Sequence, residues 1–172
     1  HYVNRLARMV DRHLARRHRF LCFTDDAEGL DPGVETAPLP PIALAPEHAM
    51  KPWRKIGLFN RPLADLSGPT LFLDLDLVIV GDLDPFFAHE PGAFCIIHNW
   101  THPDRRVGNS SVYRFEAGAD SDVLDRFHSA PHQHWIDRYR NSQTFLSDSV
   151  RDLRFWPPEW CVSFKKHCLP GW

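Results

Sequence analysis

The sequence predicts an α/β fold, with an open mixed sheet of Rossmann type flanked by helices. Three observations predict it. The first is Thr70-Leu71-Phe72-Leu73-Asp74-Leu75-Asp76-Leu77-Val78-Ile79-Val80-Gly81, an apolar run rich in branched residues that carries two carboxylates one residue apart. Runs of this kind are central strands buried on both faces. The second is a helical stripe, a short apolar run and then polar residues between Tyr2 and Asp26, the order that builds parallel sheets. The third is a pair of later strand-like runs, at Ala93 to Ile97 and Val112 to Phe115, with helical patterns between and after the sheet segments.

Taken in order, Tyr2, Val3, Leu6, Met9, Val10 and Leu14 recur at offsets of three and four. This predicts an amphipathic helix from Tyr2 to His18 with its arginines in water. Phe20 to Phe23 reads as a short strand closed by Thr24-Asp25-Asp26. Ligands of open α/β sheets bind at carboxyl strand ends, so these three are candidate contacts; an ordinary turn is the equal alternative. Residues 28–52 are rich in Pro and Gly, and a strand near Leu39 to Leu44 fits only at a sheet edge. Trp53 to Phe59 predicts a helix that continues weakly to Leu66. Asp82 and Asp84 read as turn or capping residues before a short helix carrying Phe86 and Phe87. His98 to Arg106 reads as loop, and Gly108 to Phe115 as small polar residues entering a strand. A helix follows over Ser121 to Phe127. His132, His134 and Trp135 read as loop; with His128 they place three histidines within seven residues, which metal or plain surface explains. Asn141 or Ser142 caps a helix through Leu146. Phe155-Trp156-Pro157-Pro158 is aromatic and rigid, and Cys161 to Phe164 predicts a last strand.

The 172 residues, 43% hydrophobic, suit a single domain with its own core. A net charge of −2 gives no sign of a nucleic-acid partner. Arg5, Arg8, Arg12, Arg16, Arg17 and Arg19 crowd the first twenty residues. A solvated helix face explains them, and peripheral contact with an anionic membrane, at its inner face, is the second reading. Cys22, Cys95, Cys161 and Cys168 form no disulfide or zinc pattern, which points to a reducing, cytoplasmic setting. His1 begins inside a helical pattern and Gly171-Trp172 ends without a closing element, so the sequence predicts a domain incomplete at both ends.

The acidic pair carries the chemistry. Ionised carboxylates enter an apolar strand only with a cation or several hydrogen bonds. Strand periodicity points Asp74 and Asp76 to one side. Oxygen donors suit a hard ion, Mn²⁺ or Mg²⁺, that keeps positions open for substrate phosphates. The plainer alternative is two turn residues satisfied by backbone amides. Lys55, one of four lysines, precedes the acidic strand and reads as a phosphate ligand or as surface.

Lys55-Ile56 through Phe87, with its Asp-x-Asp and its Asp-Leu-Asp-Pro-Phe-Phe tail, resembles the glycosyltransferases of GT-A fold. It is most similar to the branch of glycogenin and the lipopolysaccharide galactosyltransferases. Asn109-Ser110-Ser111 stands where that branch has Asn-Ser-Gly, Ser142-Gln143 where it has Asp-Gln, and Thr24-Asp25-Asp26 at its polar strand end. The resemblance implies a metal-dependent, retaining transfer of a sugar from a nucleotide sugar, UDP-linked, to a glycan, lipid-linked or protein acceptor. It implies Asp74 and Asp76 on the metal and diphosphate, with His167 as a substitute third metal ligand. Thr24, Asp25, Lys55, Ser110 and Lys166 would contact the donor, and Asn109 and Gln143 would line the sugar and acceptor pocket. The branch's first strand would lie ahead of His1.

Two other readings compete. Leu71 to Val78 also satisfies the Asp-x-Asp-x-Val signature of haloacid-dehalogenase-type phosphatases, with Asp74 as nucleophile and Asp76 as acid/base. A non-enzymatic or truncated binding module is the other.

Overall fold

The computed structural model describes residues 1–49, 51–119 and 122–169. It is a mixed α/β molecule with a four-stranded sheet, a separate two-stranded sheet and helices around them. Helix α1 (Tyr2–His13) buries Val3, Leu6, Ala7 and Val10; of the predicted stripe, Tyr2 is instead exposed and Met9 half-buried. The helix stops at Leu14 instead of reaching His18 because the next amides are taken elsewhere. Those of Ala15 and Arg16 donate to the Asp84 carboxylate at 2.8 and 3.3 Å. The six N-terminal arginines are exposed; Arg8 pairs with Asp31, and Arg19 with Glu35 and Asp65.

Strand β1 (Leu21–Phe23) pairs in parallel with β2 (Glu35–Ala37). The edge strand expected near Leu39 to Leu44 thus lies earlier, because Pro38, Pro40 and Pro41 have no N–H to donate to a ladder, whereas Glu35 to Ala37 do. Pro52–Phe59 is a 3₁₀ helix that buries Trp53, Ile56, Leu58 and Phe59. It does not continue toward Leu66: Asn60 turns extended one residue before Arg61-Pro62, and the residue ahead of a proline avoids helical geometry.

The larger sheet has the order β3-β5-β4-β6, from β3 (Gly68–Leu73), β4 (Phe94–His98), β5 (Gly108–Ala117) and β6 (Leu153–Phe155). Strand β5 runs antiparallel to β3 and β4, and β4 runs parallel to β6. The carboxyl ends of β3, β4 and β6 and the start of β5 therefore share one edge. Phe72, Phe94, Ile96, Tyr113 and Phe115 face a core built with Trp53, Phe59, Phe127 and Phe145. Their neighbours Leu71, Leu73, Cys95, Ile97 and Val112 face a second core with Val10, Leu83, Phe86 and Trp156. Both faces of the central strands are covered, as the continuous apolar runs require. Buried Arg114 (1% exposed) lies on the second face. Its guanidinium donates to the carbonyls of Phe86, His89, Glu90 and Ala93, so the exit of α2 (Asp84–Ala88) satisfies it without a carboxylate.

The acidic strand differs most from expectation. It is an edge strand, not a central one, and it ends at Leu73. Asp74 to Asp76 sit at and in a turn, and Leu75, Val78 and Val80 are 49, 78 and 86% exposed. Leu77 and Ile79 still face the second core, so the apolar alternation survives without a ladder. Two carboxylates are hydrated more cheaply at a strand end than inside a sheet.

Helices α3 (Asp122–His128), α4 (His132–Tyr139) and α5 (Ser142–Ser149) cover the first core. The expected start of α3 at Ser121 lies outside the described residues, as do Gly171 and Trp172. His132, His134 and Trp135 are helical, not loop: Trp135 Nε1 donates to Phe127 O at 2.7 Å. Buried His132 packs edge to face on Trp53 and tilted against Phe127, and among the described residues neither of its ring nitrogens has a hydrogen-bond partner. Cys161 to Phe164 forms no strand, with Val162 and Phe164 exposed; the last strand is β6, one segment earlier. All four cysteines are free. Among the described residues no helix is long and apolar enough to cross a membrane.

Candidate functional site

The carboxyl edge of the larger sheet gathers Lys55, Asp74, Asn109 and Ser110, and the Gln143 main chain is linked to it through Ser147. Phe72 and Asp74 lie two positions apart, so the Asp74 carboxylate emerges on the side of the 3₁₀ helix that carries Lys55. Lys55 Nζ lies 2.7 Å from Asp74 Oδ1 and 2.8 Å from Oδ2, and donates to Ser110 O at 3.0 Å. Two of those contacts are hydrogen bonds, to Asp74 Oδ2 and Ser110 O. The ammonium also covers the Phe72 ring, 5.0 Å from the centroid. The two side chains are 21 and 24% exposed, so the pair is partly shielded from water. The Asp74 amide donates to Ser111 O at 2.9 Å, one rung beyond β3.

The start of β5 is shaped by Gly108 and Asn109. A Cβ on Gly108 would lie 2.5 Å from Ile96 Cδ1, so only glycine fits. Asn109 Oδ1 accepts from the Ser111 amide at 3.0 Å, which holds the Asn109-Ser110-Ser111 bend against Asp74. The Gly108 amide donates to Ser147 Oγ at 2.8 Å, and Ser147 donates to Gln143 O at 2.7 Å. Asn141 caps α5 by accepting from the Thr144 amide, as the sequence predicted. Gln143 is thereby held one serine away from the start of β5. Beneath the ion pair, Tyr113 is fully buried and, among the described residues, its hydroxyl has no partner. Burial, and then the Asp74 charge, push that hydroxyl well above its ordinary range.

The other candidates lie apart from this group. Thr24 and Asp26 close a turn on themselves: Thr24 Oγ1 donates to Asp26 O and accepts from the Asp26 amide. Asp25 is exposed on that turn, at the end of the smaller sheet. Lys166 is exposed on the Phe164–Cys168 turn, its amide directed to Ser163 Oγ. His167 Nδ1 accepts from the Ser163 amide, and its ring meets Trp100 at 5.9 Å. Asp76 is exposed and, among the described residues, pairs with no cation. Among the described residues no three His, Cys, Asp or Glu side chains are gathered to hold an ion, so His167 does not complete a site with Asp74 and Asp76. Two carboxylates, one already matched by Lys55, fit a hard ion that arrives carrying phosphates better than a resident one.

A pocket of about 230 Å³ opens on the same edge, past β4 and β6. His98, Asn99, Trp100, Trp156, Pro157 and His167 contribute to its lining. The sequence marked Trp156-Pro157-Pro158 as rigid but did not join it to Asn99 and Trp100. Only the parallel pairing of β4 with β6 brings the two strand ends together. No family model, no curated protein and no solved structure matches this chain.

Proposed function

We propose that the chain is a metal-dependent glycosyltransferase of GT-A type that moves a sugar from a nucleotide sugar, UDP-linked, to an acceptor. The observation that carries this reading is the Lys55–Asp74–Ser110 constellation at the carboxyl edge, with Asn109 and Gln143 held beside it. A cation on a flexible stem, two carboxylates at a strand end and a bend of small polar residues suit a diphosphate and the sugar attached to it. Asp74 and Asp76 would hold Mn²⁺ or Mg²⁺, which when bound neutralises charge on a departing diphosphate. Lys55 would shift one N–H from Asp74 to a phosphate oxygen, and Asn109 and Gln143 would orient the sugar. The phosphatase alternative has less support: it needs a free Asp74 oxygen for attack, and both lie within 2.8 Å of Lys55 Nζ.

Calorimetric titration with UDP and Mn²⁺ tests the reading. Wild type binds UDP only with Mn²⁺ present, and Asp76→Asn loses that metal-dependent binding while its unfolding midpoint stays within a degree or so, since Asp76 is exposed. Equal affinity in Asp76→Asn and wild type overturns the assignment. Metal-dependent binding without release of UDP from any UDP-sugar would instead identify a binding module.

A further inference from the structure

We propose that the pocket past β4 and β6 is a second site, which binds one neutral sugar ring. Its volume, about 230 Å³, lies below the roughly 300–1,000 Å³ of sites for drug-sized ligands, so it holds a single ring. Among the described residues no Lys, Arg, Asp or Glu lines it, which disfavours phosphates and carboxylates. The Cys161 thiol on its wall is pushed up to about 12 by burial and is no nucleophile.

The polar groups of the lining are neutral and complementary. Asn99 is only 3% exposed. Its Oδ1 accepts from the Thr101 amide at 2.9 Å and from Thr101 Oγ1 at 2.7 Å, which fixes the orientation of the side-chain amide. Among the described residues its Nδ2 donates to no protein acceptor. That nitrogen is the donor Asn99 has left to offer, and a hydroxyl entering the pocket can accept from it. His167 Nδ1 accepts from the Ser163 amide at 2.8 Å, which leaves Nε2–H as the donor of the neutral ring. His98 Nε2 lies 2.9 Å from Arg105 O, so it carries the proton and leaves Nδ1 as an acceptor. Hydroxyls donate and accept, and a pyranose presents a rim of them around a C–H face that suits the indole of Trp100.

Strand β4 is two strands from β3, roughly 10 Å at a spacing near 4.8 Å. The ring thus sits beside the Lys55–Asp74 group, not within it. That the ring belongs to the acceptor rests on the transferase reading; that the pocket takes a sugar does not.

The full chain is titrated with free glucose, galactose, mannose and N-acetylglucosamine, without metal or nucleotide, while ¹H–¹⁵N spectra are recorded. One or more of these sugars shifts the Asn99 side-chain amide and the Trp100 indole N–H saturably, with a millimolar Kd. Asn99→Asp keeps the acceptor that holds the turn and removes the donor; it weakens the indole response about tenfold or more. His167→Gln, at an exposed ring, gives the same reading should Asn99→Asp lower the unfolding midpoint. Asp74→Asn leaves the sugar response unchanged, which separates this site from the donor site. The proposal is overturned if none of these sugars shifts either group, if the response survives both pocket variants undiminished, or if inorganic phosphate displaces the sugar.

Discussion

The Lys55–Asp74 pair gives the most demanding test, because its stability effect follows from geometry alone. At 2.7 Å and an effective dielectric near 20, the attraction is 332/(20 × 2.7), about 6 kcal/mol. Desolvation of both groups and about 2 kcal/mol of lysine rotamer entropy oppose it. Hydrogen bonds to charged groups are worth about 1.5–3 kcal/mol net, and side chains 21 and 24% exposed place this pair within that range. A double-mutant cycle with Lys55→Met and Asp74→Asn isolates the coupling. Methionine keeps an unbranched stem on Phe72 and removes the charge. Thermal unfolding followed by circular dichroism should show a coupling of about 1.5–3 kcal/mol, and at roughly 2–4 °C per kcal/mol in a chain of this size Lys55→Met loses roughly 3–12 °C. Effects that add within about 0.5 kcal/mol would mean the pair does not form, and the proposed donor site would lose its anchor. The same variant has a ligand signature: without Lys55, Asp74 is freed for Mn²⁺ in the absence of UDP while UDP itself binds more weakly.

Three further outcomes are expected. Arg114→Met removes the donor shared by the carbonyls of Phe86, His89, Glu90 and Ala93, one of those bonds buried and the other three partly buried; the cost is about 1–3 kcal/mol in urea unfolding, and a loss under about 1 kcal/mol contradicts the network. Gly108→Ala forces a methyl to within 2.5 Å of Ile96 Cδ1 and costs about 1–3 kcal/mol; Ile96→Val in the same chain should recover part of that loss, and no recovery would place the strain elsewhere. His132 has its pKa lowered, first by burial and then by His48. A lowered folded value means the unfolded chain takes up the proton first. Its contribution to stability is therefore complete above the unfolded value near 6.5 and is lost as pH falls through it toward the folded one. The drop in unfolding midpoint between pH 7 and 5 should be smaller in His132→Leu than in wild type, and an identical drop refutes the assignment.

The apolar stripe of α1, the runs of β4 and β5 and the Asn141 cap were legible because each is a local pattern with one physical solution. The Leu71-to-Val80 run misled because exposure at an edge is decided by the neighbours of a strand, and the sequence does not say that, among the described residues, β3 has only β5 beside it. The α4 histidines misled for a related reason. His132 is polar by type but sits against Trp53 and His48, which are distant in sequence. Lys55, Asp74 and Ser110 were each readable as candidates, yet only the antiparallel register of β3 on β5 makes Ser110 O a partner of Lys55. His167 and Lys166 were grouped with them by family resemblance, and their backbone anchors lie instead on Ser163.

The sheet direction ties these results together. Because β3, β4 and β6 point the same way, one edge collects two unlike chemistries from strands that alternate only once in direction, at β5. At the β3 end a lysine, a carboxylate and a carbonyl are mutually satisfied, an arrangement that a charged, phosphate-bearing ligand can exchange into without leaving any charge unpaired. At the β4–β6 end the lining is uncharged and, among the described residues, the Asn99 amide nitrogen donates to no protein acceptor, an arrangement that favours a neutral hydroxylated ring. The buried hydroxyl of Tyr113, unpartnered among the described residues, lies under the charged end, beside Asp74; under the proposed reading the charged end would take the diphosphate-linked donor and the neutral end a sugar.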